Sequence, residues 1–149
     1  MLFEPDRHHE ADRLADKLAT ATKSSRALFT EIAAPSPRLM TLNAAGKATR
    51  LSNLLTSEAW TDAAIELLAL DAPSWAIHRL CRDDGEWLCS LTRFPDLPHW
   101  LDDSVEGRHR VLALAILAAL VELRARNLSE PRRDTGQLAG VAADIADYR

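Results

Sequence analysis

WAIHRLCRDDGEWLCSLTR, the run from Trp75 to Arg93, holds the one local signal in this chain that dictates backbone geometry. Asp84-Gly85 between two runs of Trp, Ile, Leu and Cys is a strong β-hairpin signature. Two loops compete. A two-residue loop at Asp84-Gly85 pairs Cys81 with Leu88 and Ile77 with Thr92, mixing apolar with polar partners. A three-residue loop, Asp83-Asp84-Gly85, puts Gly85 where a type I turn plus bulge requires positive φ. It pairs Arg82 with Glu86, Cys81 with Trp87, Arg79 with Cys89 and Ile77 with Leu91, and it gathers Trp75, Ile77, Cys81, Trp87, Cys89 and Leu91 on one face. Period-two alternation favours this second register. Arg79 is the single misfit on that apolar face, within diagonal reach of Trp87 for a cation–π contact. Cys81 and Cys89 become diagonal neighbours roughly 7–8 Å apart, beyond the ~3.5–4.5 Å between Cβ atoms that a disulfide needs. Two buried thiols are expected.

The hairpin needs a partner, because two strands alone are marginal. Downstream, VLALAILAALVEL (111–123) is apolar on nearly all sides, as a helix buried against more than one surface would be. Asp102, Asp103 or Ser104 is expected to cap a helix over 103–127, with Gly107 weakening its first turns and Glu122, Arg124 and Arg126 returning it to solvent. Asp102, Asp103 and Glu106 form the densest carboxylate cluster, which capping explains without catalysis. Between hairpin and helix, FPDLPHWL (94–101) reads as a proline-stiffened connection. A third strand is expected around Phe94–Leu97, or sheet completion across a dimer. From residue 128 the chain is polar, with room for one short helix in 137–148.

Upstream, residues 5–34 read as one amphipathic helical arm ending at Pro35-Ser36-Pro37. Ala11, Leu14, Leu18, Ala21, Ser25, Leu28 and Ile32 recur at heptad spacing. The stripe suits either packing on its own domain or dimerisation. Residues 38–73 read as a helix-turn-helix, with helices from Lys47 to Leu55 and from an N-cap at Thr56-Ser57 to about Leu70. The second carries a stripe of Trp60, Ala63, Ala64, Leu67 and Leu68. LLTSEAWTDAAIELLALDAP (54–73) is similar to the middle of a tetratricopeptide repeat, but no second copy follows, and such repeats need neighbours. The fold class expected is α+β and mostly helical: N-terminal helices, then a hairpin packed on a long buried helix, within one domain over 1–127.

Function is far less legible. The formal net charge of −4 provides no basic field for nucleic acid. Only Lys47 and Arg50 on the 47–70 helices suggest weak binding of that kind. No apolar run approaches the ~18 residues of a membrane span, and MLFEPDRHHE lacks the apolar core of a signal peptide. A cytoplasmic location is therefore expected. AAGKAT (44–49) fails as a phosphate loop, since Thr41 stands where the first Gly belongs and Ala48 follows the Lys. His8 and Asp12 share a helix face but form no closed metal shell. His78 opposite Ser90 lacks an orienting carboxylate. No catalytic residue, metal or cofactor is expected. The leading expectation is a non-enzymatic interaction or regulatory module, dimeric through the N-terminal helix or the hairpin edge. The alternative is a small-ligand binder or enzyme with a pocket near 94–101, using Arg79, Trp87, His99, Trp100 and Asp103.

Residues 1–127 also resemble a set of small proteins of rhizobial and related alphaproteobacteria with no known activity. The resemblance rests on EPDR, NAAGKATRL, AWTDAA, DGEWLCSLTR, LPHWLDD and LALAILAALVE. It implies a bacterial cytoplasmic protein and transfers no activity.

Overall fold

Asp84 and Gly85 set the hairpin, but through the shorter loop. In the computed structural model both have positive φ, 55° and 82°, the pair of left-handed conformations that a type I′ turn demands. Asp83 pairs directly with Glu86, so the loop has two residues and the three-residue register is corrected. Asp tolerates the left-handed region better than most non-glycine residues, which makes the tighter turn available. Strand β1 (Ala76–Asp83) and strand β2 (Glu86–Thr92) then run with Arg82 opposite Trp87, Cys81 opposite Leu88, Leu80 opposite Cys89 and Arg79 opposite Ser90. A bulge between Ile77 and Arg79 absorbs one residue and restores the expected Ile77–Leu91 pair. His78 is that extra residue, so it does not sit opposite Ser90. The bulge reconciles a tight turn with an apolar inner face.

The structure describes residues 4–46, 48–93 and 104–129. Within them a third strand, β3 (Ser104–His109), pairs antiparallel with β2, giving the order β1-β2-β3. This corrects the helix expected from 103. Val105 and Gly107 are buried while Glu106 and Arg108 are exposed, a strand's alternation rather than a helix's. Glu106 therefore belongs to an exposed strand face and not to a helix cap. Gly107 has a positive reason to be there. A Cβ at that position would lie 2.2 Å from the Ala119 amide nitrogen and 2.7 Å from the Ala115 carbonyl oxygen. It is the point of closest approach between β3 and the long helix, and only glycine fits it. The strand considered at Phe94–Leu97 and the short helix considered at 137–148 lie outside the described residues.

The helices number α1 to α6 along the chain. α1 (Glu4–Thr20) and α2 (Arg26–Ala33) replace the single arm expected over 5–34. Thr20 Oγ1 bonds back to the carbonyls of Asp16 and Lys17, and Ser25, with extended backbone, accepts from the Leu28 amide at 3.2 Å to cap α2. Polar side chains that compete for backbone partners thus end one helix and start the next. α3 (Pro37–Ala44) follows, capped by Ser36 with Pro37 in the first helical position. The helix-turn-helix is realised as α4 (Thr49–Thr56) and α5 (Trp60–Asp71). Ser57 is not the N-cap of α5. Its hydroxyl and amide both bond the Asn53 carbonyl, closing α4, while Glu58 turns the chain at φ 59°. The α5 stripe is as expected: Ala63, Ala64, Leu67 and Leu68 are buried. Half-buried Trp60 meets the ring of Phe29, centroids 5.6 Å apart.

All of this converges on α6 (Leu112–Ser129), which packs on β3, β2, α1 and α5. A helix with sheet on one side and helices on others must be apolar nearly all round, and Ala113–Leu117 and Ala119–Val121 are all buried. Leu14 and Leu18 of the heptad stripe are also buried in this core. Among the described residues no helix is long and apolar enough to cross a membrane.

Candidate functional site

Near its C-terminal end α6 places a charge where helices meet. Arg124 was expected to mark the return to solvent, yet its side chain is only 19% exposed. Its Nε donates to Asp71 Oδ2 at 2.8 Å, and its Nη1 to the Ile32 carbonyl at 2.5 Å. The other carboxylate oxygen of Asp71 accepts from Ser36 Oγ at 2.5 Å, and that oxygen in turn accepts the Leu39 amide. One guanidinium and one carboxylate thereby tie together the ends of α2 and α5, the start of α3 and the flank of α6. A pair this buried gains from every extra hydrogen bond, since desolvation offsets much of its Coulomb attraction.

The clamp is one wall of a cleft of about 360 Å³ between α1, the α2–α3 turn, the end of α5 and α6. Leu14, Leu120 and Leu123 give it an apolar floor, and Glu10 and Asn127 stand among its polar lining groups. Glu10 is held by Arg13 at 2.6 Å. Arg124 Nη2 is buried and, among the described residues, has no hydrogen-bond partner. The Ser36 hydroxyl is committed to Asp71. The arrangement offers an apolar floor with charged and polar groups at its rim.

The residues expected to form a site do not assemble. His99, Trp100 and Asp103, with the whole 94–101 connection, lie outside the described residues. Arg79 is exposed and shares the sheet face of Ser90, while Trp87 is half-buried on the opposite face beside Gly107 and His109, so the expected Arg79–Trp87 stack is corrected. The same shift separates the thiols. Cys89 faces α6, fully buried, and burial pushes it up to about 11; Cys81 points to the other face and is half-buried. Lys47 lies outside the described residues, and Arg50 pairs with Glu66 at 3.2 Å. Among the described residues no three His, Cys, Asp or Glu side chains converge as metal ligands.

Sequence reading missed His109 as well as Arg124. The Val111 amide donates to His109 Nδ1 at 2.9 Å, which leaves Nε2 protonated to donate to the Leu18 carbonyl at 2.8 Å. This neutral imidazole latches the β3–α6 corner to α1. Neither residue has a local signature, because their partners are far along the chain. Ser36 did have one, since Ser-Pro at 36–37 matches an N-cap followed by proline at the first helical position.

Comparison with protein-family models, with curated proteins and with solved structures gives no match to this chain.

Proposed function

We propose that this chain is a non-enzymatic binding module that takes a small molecule in the cleft beside Arg124. One observation carries the reading: a cleft of about 360 Å³ with an apolar floor has the fixed Arg124–Asp71 pair in its wall. Pockets of roughly 300–1,000 Å³ with apolar walls and few polar groups are typical of small-ligand sites. The resemblance in residues 1–127 would place such a module in the bacterial cytoplasm. The test is a titration of ¹⁵N-labelled protein with a fragment library of mixed charge. Binding in the cleft shifts the amides of Ala11, Ala72, Leu123 and Arg124 together. Shifts confined to other regions, or none across the library, overturn the proposal.

Self-association is a second reading, favoured by β1, an edge strand whose Leu80 is 38% exposed. Edge strands present unpaired backbone groups that a second copy can satisfy. The N-terminal helix is a poorer route, because Leu14 and Leu18 already pack inside the chain. Sedimentation showing a strict monomer at high concentration removes this reading.

A further inference from the structure

Resting on the self-association reading, we infer that two copies of this chain join β1 to β1 in one antiparallel register, with Cys81 opposite the partner's Cys81 on the two-fold axis. Hairpin geometry determines which groups the edge offers. Asp83 and Glu86 flank the two-residue turn, so they form a hydrogen-bonded pair, and the two kinds of pair alternate from there. Arg79, Cys81 and Asp83 thus turn their backbone groups to β2, while those of Leu80 and Arg82 point to the free edge. The bulge between Ile77 and Arg79 ends the regular run, which leaves 79–83 as the straight part of the edge.

Residues opposed across an antiparallel pair must both turn toward it or both away, so a two-fold axis passes through one residue and its own copy. Centring on Arg79, Arg82 or Asp83 sets a charge against the same charge, which destabilises a strand pair. Centring on Leu80 sets Asp83 against the bulged segment and opposes no acid to a base. Centring on Cys81 uses the whole run. Leu80 exchanges backbone hydrogen bonds with the partner's Arg82, and Arg79 lies opposite the partner's Asp83, twice by symmetry. Among the described residues neither Arg79 nor Asp83 is in an ion pair. Glu86 stands beside Asp83 on that face, and the charges of β3, Glu106 and Arg108, lie two strands from the edge. On the other face Leu80, 38% exposed, gains cover from the aliphatic stem of the partner's Arg82.

This register can be read chemically. Cys81 and the partner's Cys81 form a non-hydrogen-bonded pair with Cα atoms ~4.5 Å apart, inside the ~4.4–6.8 Å that a disulfide spans. With glutathione disulfide as oxidant, one Cys81 thiolate displaces a glutathione thiolate and forms a mixed disulfide. The partner's Cys81 thiolate then displaces the second. Two protein thiols and one glutathione disulfide become one protein disulfide and two glutathione thiols.

The experiment uses the full chain. Sedimentation under reducing conditions should show a monomer–dimer equilibrium that Arg79→Glu weakens by at least about tenfold, because two attractive pairs become repulsive. Adding Asp83→Arg to that variant reverses both pairs and should restore association. Glutathione disulfide should link the wild type through Cys81, seen by peptide mass spectrometry, at a rate that falls in Arg79→Glu and recovers in the double variant. A dimer indifferent to Arg79→Glu, or one that links no Cys81 pair, overturns this register and leaves the self-association reading standing. A strict monomer overturns both. If Arg79→Glu does not fold, wild-type cross-linking decides alone: a Cys81-linked dimer supports the register, and only the mixed disulfide with glutathione overturns it.

Discussion

Replacing Gly107 with alanine tests the sheet–helix contact on which the whole architecture depends. The added methyl would lie 2.2 Å from the Ala119 nitrogen, 2.7 Å from the Ala115 oxygen and 2.8 Å from the Ala118 carbonyl carbon. Ordinary carbon contacts lie near ~3.5–4.0 Å, so β3 and α6 must part by roughly an ångström. All three obstacles are backbone atoms of one helix, which cannot swing aside as a side chain can. Overpacking a core costs about 1–3 kcal/mol and occasionally more; backbone obstacles on a central helix put this substitution at or above the upper end. For a chain of this length ~1 kcal/mol moves Tm by ~2–4 °C, so a fall of ~6–12 °C or more is expected. Thermal melts and urea midpoints of Gly107→Ala against wild type provide the measurement. Ala119→Gly should not rescue it, because the obstruction is the Ala119 nitrogen and not its methyl group. Gly85→Asn serves as the control: nothing lies within 4 Å of a Cβ there, and asparagine tolerates positive φ. If Gly107→Ala stays within ~0.5 kcal/mol of wild type, the range of a neutral surface change, β3 does not pack on α6 as described.

Three further outcomes follow from single contacts. Arg124→Met leaves the Asp71 carboxylate buried without its partner and should destabilise by about 3–5 kcal/mol, whereas the double variant with Asp71→Leu recovers much of that loss in urea titrations; a single variant as mild as the double would contradict the clamp. His109→Ala strips the Val111 amide of its acceptor, so hydrogen exchange at Val111 should accelerate while stability falls by about 1–3 kcal/mol; unchanged protection at Val111 would show that the latch does not form. Cys89 is raised to about 11 in the folded protein against ~8.5 for a free thiol, so the folded state holds its proton more tightly. That contribution is complete below about pH 8.5 and is lost as pH rises toward 11. Wild type should therefore lose stability over this window more steeply than Cys89→Ala, and a thiol reagent should modify Cys81 well before Cys89; parallel pH profiles would refute it.

Much of the fold was legible because it is written in local patterns. The hairpin, the α5 stripe and the all-round apolar α6 each follow from turn chemistry or periodicity within a dozen or so residues. The errors share a cause. A bulge at His78 is invisible to alternation alone, since the tight turn and the extra residue cancel by Ile77–Leu91 and leave that end of the pairing unchanged. Gly107 reads as a weak helical residue until the helix lying across it is known. The heptad stripe runs through residues 21–25 without a gap, while Thr20 and Ser25 break the helix there through backbone hydrogen bonds. The candidate site was hidden for a related reason. Arg124, Asp71, Ser36 and the Ile32 carbonyl come from four separate segments, and Arg124 sits beside Glu122 and Arg126 where a helix would be expected to meet solvent. Only tertiary packing turns that arginine inward.

The most direct test of the binding site is a crystal structure of the protein soaked with the fragment that most strongly shifts the amides around the cleft. The fragment's apolar part should lie over Leu14, Leu120 and Leu123. A cleft that stays empty at saturating fragment, or a fragment bound away from Leu14, Leu120 and Leu123, would contradict it.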